Sequence, residues 1–215
     1  MRRIAATLPL LIAFALHAEE PGTDTPYRKY YEQLGPAKAA DSDNVLRIRL
    51  CPQPLEKGET LPADLAFEIR DGAEHTALTL DRQHCFELPS NAQWAEHDAQ
   101  LHKNSNRKLR AVVDITGRLP ASNELSYAEL TQSIPAFERV IASQGLMARM
   151  LGPKVKGLIV KFDPAAPQSV LVHAPQGDLR YTTDASGVIR MPVDPKLNAA
   201  RVELSSAPLE IGPDA

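Results

Sequence analysis

The chain has 215 residues, with 24 basic and 27 acidic side chains and a formal net charge of −3. A mildly acidic balance leaves no basic face for neutralising phosphates, so no nucleic acid is expected as a partner. The length fits one large or two small domains. The 18 prolines suit short strands and turns better than long helices.

Arg2 and Arg3 precede an apolar run from Ile4 to Leu16, and Ala18 is a small residue just before Glu19 and Glu20. That is the pattern of a secretory leader, so residues 1–18 are expected to be a signal peptide. Its loss leaves 197 residues and moves the net charge to −5. The run is too short for a spanning helix, and the nearest cysteine is Cys51. The expectation is an exported protein with neither a lipid anchor nor stable membrane insertion, periplasmic if the host is Gram-negative.

Residues 19–40 form an N-terminal segment with one short helix. Thr25 can cap it, Pro26 suits its first turn, and Gly35-Pro36 should stop it. Tyr27, Tyr30, Tyr31 and Leu34 share one helical face. That face either docks on the rest of the chain or meets a partner.

Residues 41–120 read as a first β unit. Val45–Leu50 and Leu65–Arg70 alternate, Asp71-Gly72 signals a hairpin, and Thr76–Leu80 and Cys85–Leu88 continue a meander. Residues 89–107 are polar and less regular, and Leu109–Ile115 is a further strand. Residues 121–153 read as a helical connector. Ser126 and Glu129 form a capping box, with Leu125 and Leu130 as its apolar staple. Pro135 then forces a break or a new start, and Gly152-Pro153 ends the segment. Residues 154–215 read as a second β unit, with strands at Leu158–Phe162, Ser169–His173, Leu179–Thr183, Val188–Met191 and Ala200–Leu204. The fold class expected is mainly β with a helical connector and two related small β-sandwich-like units.

Cys51 and Cys85 are the only cysteines. An even count in an oxidising compartment reads as a disulfide. Each lies one residue out of phase with the apolar positions of its strand, so the two can meet on one face of neighbouring strands. Their spacing does not match the C-x-x-C of a redox-active pair.

The segment Ala77–Pro89 aligns without a gap on Arg180–Pro192, an offset of 103 positions. Thr79 falls on Thr182, Asp81 on Asp184, Phe86 on Ile189 and Leu88 on Met191. Ala99 and Leu101 fall on Val202 and Leu204 at the same offset. Leu46–Leu50 matches Leu158–Phe162, with a following loop nine residues shorter in the second copy. An internal repeat is therefore expected, with chance convergence of two meanders as its alternative. Thr183-Asp184-Ala185-Ser186-Gly187-Val188-Ile189 resembles the T-D-x-x-G hairpin of prealbumin-like modules, such as carboxypeptidase-regulatory-like and bacterial Ig-like domains. The resemblance implies a β-sandwich module without catalytic residues, used for adhesion, spacing or protein contact. Asp81–His84 departs from it by lacking the glycine. The whole chain also resembles small exported proteobacterial proteins of uncharacterised role.

The chain lacks G-x-S-x-G, P-loop, dinucleotide-turn and H-E-x-x-H motifs. Ser105–Lys108 matches S-x-x-K in a polar loop that lacks the partner motifs. His97, Asp98 and His102 are the only candidate metal ligands of note, with Met147 and Met150 as possible soft ligands. A spacing of five puts the two histidines on opposite faces of a strand. The basic run His102–Arg110 reads as a solvated loop, and one tryptophan, Trp94, is too few for a sugar platform. No catalytic residue and no cofactor is expected. The reading is an exported non-catalytic envelope protein, a binding or structural module with an envelope protein partner. The alternative is a periplasmic metal- or small-ligand-binding protein.

Overall fold

The computed structural model describes residues 24–56, 58–145 and 154–214. The expected signal peptide, Met147 and Met150 lie outside the described residues. The chain divides into two compact units. Unit 1 runs through Pro36 and resumes over Ile48–Asp114; unit 2 comprises Ala37–Arg47 and the chain from Ile115 onward. The fold is mainly β, with fourteen short strands among the described residues.

Unit 1 opens with β1 (Asp24–Pro26) and α1 (Tyr27–Ala40). Thr25 lies in β1 and pairs with Leu101 in a ladder. Helix α1 also runs through Gly35-Pro36 rather than stopping there. A proline inside a helix removes one hydrogen bond, but Leu34 and Ala37 on either side are buried and hold the turn in place. The strands are β2 (Leu46–Pro54), β3 (Phe67–Asp71), β4 (Glu74–Leu78), β5 (Phe86–Glu87), β6 (Gln100–Lys103) and β7 (Leu109–Gly117), with helix α2 (Ala92–Glu96) before β6. One antiparallel sheet has the order β1-β6-β3-β4, and β2 lies between β5 and β7. Asp71 pairs with Glu74, so the hairpin turn is Gly72-Ala73, one residue beyond the expected pair. Gly72 has φ +59, which suits a turn whose first central residue is glycine.

Unit 2 contains β8 (Glu124–Ser126), α3 (Tyr127–Thr131), α4 (Ser133–Ser143), β9 (Gly157–Lys161), β10 (Ser169–Ala174), β11 (Gly177–Thr182), β12 (Val188–Met191), a single 3-10 turn at Pro195–Leu197, β13 (Arg201–Leu204) and β14 (Glu210–Asp214). Its sheets have the orders β11-β10-β13-β8 and β12-β9-β14, and Ile211 of β14 pairs with Gly117. The capping box forms as expected. Ser126 Oγ accepts from the Glu129 amide at 3.2 Å, and Glu129 Oε2 accepts from the Ser126 amide at 2.7 Å. Both helices fall within unit 2 and contribute Tyr127, Leu130 and Ile134 to one core with Leu158, Val160, Val170, Val172, Val202 and Ile211. Ser133 is the first residue of α4.

Candidate functional site

The residues singled out in the sequence divide into core, staple and surface. Tyr27, Tyr30 and Leu34 are 0 %, 5 % and 2 % exposed. Those three side chains are therefore core, and Tyr31, the fourth of the face, is half-buried. Tyr27 stacks edge-on against Trp94 at 5.6 Å and lies 5.8 Å from Tyr31. Its hydroxyl donates to the Pro89 carbonyl at 2.6 Å and accepts from the Asn91 amide at 3.0 Å. Burial raises its pKa above the ordinary tyrosine value.

Cys51 and Cys85 form the expected disulfide, with Cα atoms 4.2 Å apart. Arg49 faces Glu87 and Leu50 faces Phe86 across β2 and β5, and the same register carried one step further sets Cys51 opposite Cys85. Beside it lies a buried charge that the sequence did not flag. Arg49 is 4 % exposed. Its Nε lies 3.0 Å from Asp114 Oδ2, its Nη2 contacts the same oxygen, and its Nη1 lies 2.7 Å from Asp81 Oδ2. Burial opposes ionisation of Asp81, but the Cys85 and Gln83 amides and then Arg49 outweigh it, so its pKa is lowered.

The metal candidates do not converge. His97 Nδ1 is 3.4 Å from Asp71 Oδ2, whereas His102 Nδ1 is 2.6 Å from Asp24 Oδ1. Asp98 occupies a left-handed backbone position at φ +55. Among the described residues no group of three or more His, Cys, Asp or Glu is placed to hold a metal ion.

What the fold does assemble is a pair of charged sheet faces that end at open strand edges. In unit 2, period two sends Val170 and Val172 into the core and Leu171 and His173 to the other face. His173 pairs with Asp178 on β11 and with Arg201 on β13. Its Nδ1 is 3.0 Å from Asp178 Oδ1 and its Nε2 is 3.1 Å from Glu203 Oε1. Arg201 then lies 2.6 Å from Glu203 and 3.3 Å from Glu124. Alternating charges thus cross all four strands. Hydrogen bonding to Asp178, and then to Glu203, raises the His173 pKa. In unit 1 a shorter row joins His75, Glu68 and Arg70, with Glu68 Oε1 at 3.5 Å from His75 and 2.6 Å from Arg70. The Arg70 hydrogen bond lowers the Glu68 pKa. Period-two reading gives the face of each of these residues; cross-strand register, which a single sequence does not display, gives the rows.

Strand β4 is last in its sheet, and Glu74 through Ala77 are all exposed. Strand β11 is likewise last, and only Tyr181 of its six residues is even half-buried. Among the described residues no strand pairs with the outer side of either.

Two depressions lie in the surface of the described residues. The one in unit 1 has ≈ 40 Å³ of free volume between Tyr30, Leu50, Phe67 and Phe86, with Lys103 and Arg110 in its lining. That is room for a few waters at most. The one in unit 2, ≈ 470 Å³, has Glu138 and Lys156 as its charged lining residues.

A family model described as "Protein of unknown function (DUF2987)" matches residues 22–162, well over half of the chain. The chain belongs to the DUF2987 family. The match takes in every strand of unit 1 and reaches through β9 of unit 2. No curated protein and no solved structure matches this DUF2987 chain. Family membership therefore brings no assigned activity.

Proposed function

We propose that this DUF2987 protein is an exported, non-catalytic binding module of the cell envelope that engages a protein partner through its open strand edges. The observation that carries the reading is β4, a strand at the end of its sheet with four consecutive exposed residues. Such an edge presents unpaired backbone donors and acceptors, and an extended segment can add to it as one more strand. Export is supported by the leader-like residues 1–18 and by the disulfide, which suits an oxidising compartment.

The module is read as two copies of one unit. Strand orders β1-β6-β3-β4 and β8-β13-β10-β11 follow the same plan. Tyr127 repeats the contacts of Tyr27: its hydroxyl donates to the Pro192 carbonyl at 2.7 Å and accepts from the Asp194 amide at 3.2 Å. The backbone amides of Tyr27 and Tyr127 donate to the Ala99 and Ala200 carbonyls. Asp81 Oδ1 accepts from the amides of Gln83 and Cys85, as Asp184 Oδ1 does from Ser186 and Val188. These contacts support an offset of 103 around the hairpins but 101 at β6 and β13, so Ala99 answers to Ala200 and not to Val202. Leu50 faces Phe86 as Val160 faces Ile189. That supports 110 at β2 and β9, and a loop shorter by seven residues.

The test is crosslinked capture from an envelope extract by the full chain and by a Thr76→Lys, Leu179→Lys variant, which blunts both edges with inward lysines. A captured protein that the variant loses, at unchanged thermal midpoint, is the expected result. Capture that survives the variant would overturn the edge reading. A bound metal or small molecule seen by native mass spectrometry, with no protein captured, would replace it with the ligand-binding alternative.

A further inference from the structure

The two open edges differ in one respect: β11 is complementary to itself. Its residues are Gly177, Asp178, Leu179, Arg180, Tyr181 and Thr182. Pairing with β10 sets Leu179 opposite Val172 and Tyr181 opposite Val170, on the core face. Asp178 and Arg180 lie opposite His173 and Leu171, on the other face. Leu179 is 39 % exposed, a large apolar side chain at the rim of the core face.

We propose that β11 pairs antiparallel with β11 of a second copy of this chain, about a two-fold axis at Leu179. This rests on reading the strand edges as the binding element, and it names the occupant of one of them. In that register Leu179 faces Leu179 of the second copy. Asp178 faces Arg180, twice by symmetry, and Tyr181 covers Gly177. Opposite charges and an aromatic over a glycine are favourable cross-strand pairs.

Other registers are less favourable. Centring the axis one residue earlier stacks Asp178 on Asp178; one residue later stacks Arg180 on Arg180. Like charges directly opposite are destabilising. A half-residue shift sets Leu179 against Arg180 and joins a core face to a charged face. Only the Leu179 axis continues the apolar face of one sheet into the next while pairing every charge on the strand. An interface of one short strand pair is at the small end of specific interfaces, so the dimer should be concentration-dependent.

The test uses charge swaps at exposed positions in the full chain. Asp178→Arg places arginine at both 178 and 180; Arg180→Asp places aspartate at both. Sedimentation should show self-association weakened at least tenfold in each variant alone. An equimolar mixture of the two should recover it, because each strand then meets its opposite. Leu179→Cys should also form a disulfide-linked dimer on mild oxidation. Directly opposite residues in an antiparallel pair have the Cα separation a disulfide requires, and Cys51 and Cys85 are already bonded to each other. Thr76→Cys on β4 should not crosslink. A wild-type chain that stays monomeric, a mixture that fails to recover association, or equal crosslinking at 76 and 179 would overturn the proposal. If the self-association tests fail while envelope capture still depends on the edges, only the identity of the occupant is lost.

Discussion

His84 and Gly187 occupy the same place in two hairpins and pay differently for it. Their φ values are +62 and +77, in the region that costs an L-residue about 1–2 kcal/mol. A Cβ on Gly187 would sit 2.5 Å from the Phe162 carbonyl oxygen. Gly187→Ala should therefore destabilise by at least about 2 kcal/mol, combining backbone strain with a clash against main chain. His84→Gly should be neutral within about 1 kcal/mol, because relief of strain is offset by the greater freedom of glycine in the unfolded chain. Urea unfolding of the two variants checks the asymmetry; equal losses would mean the two turns are not equivalent. Arg49 gives a second residue-scale test. Arg49→Met removes the shared partner of Asp81 and Asp114, whose side chains are 27 % and 19 % exposed. Full burial would set the loss at 3–5 kcal/mol, and partial solvation of the carboxylates lowers it to about 2–3 kcal/mol. A loss below about 1 kcal/mol would show that water replaces the guanidinium.

At the scale of elements, alternating strands were legible even when short, as at Val188–Met191, whereas β1, β6, β8 and β14 were not. Val45–Leu50 and Ser169–His173 alternate over enough residues to fix both strand and face. Strand β6 has four residues, with Leu101 its buried one, and β14 carries Gly212 and Pro213, the residues that ordinarily punctuate strands. Pro213 is tolerated two positions past the pairing of Ile211 with Gly117. The tyrosine stripe on α1 was visible as a face, but periodicity alone does not separate core from contact surface. The charged row of unit 2 carries a prediction at this scale. His173 is faced by Asp178, Glu203 and Arg201, with Arg180 on the same side of the sheet. Hydrogen bonds to Asp178 and Glu203 raise its folded pKa above an unfolded value near 6.5. Its stabilising contribution is thus complete below about pH 6.5 and is lost as pH rises through the folded pKa. His173→Gln should cost more stability at about pH 5.5 than at about pH 8.5. A pH-independent difference would remove the ion pairs from the account.

At the scale of the whole chain, the sequence offset made two related units thinkable, while loop lengths hid their register. Under the proposed duplication, the offset of 103 runs without insertion from Phe67 to Asn91. It fails on either side because loops absorb insertions at little cost. The two units also differ in how they are fastened. Lys161 and Val188 face each other across β9 and β12, the positions that under the proposed duplication answer to Cys51 and Cys85. Closing the 34-residue separation of the disulfide stabilises by roughly 3.5–4 kcal/mol in the chain-entropy model. Unit 1 has that cross-link and a buried ion cluster; unit 2 has a continuous apolar core with Ile159 paired to Arg190, where Arg49 is paired to Glu87 in unit 1. A Cys51→Ala, Cys85→Ala chain should therefore lose amide protection unevenly. Hydrogen exchange within Ile48–Asp114 should accelerate, while Val160, Val172 and Val202 keep the wild-type rates. Uniform acceleration would mean that the units open as one cooperative body and that the disulfide secures the whole fold.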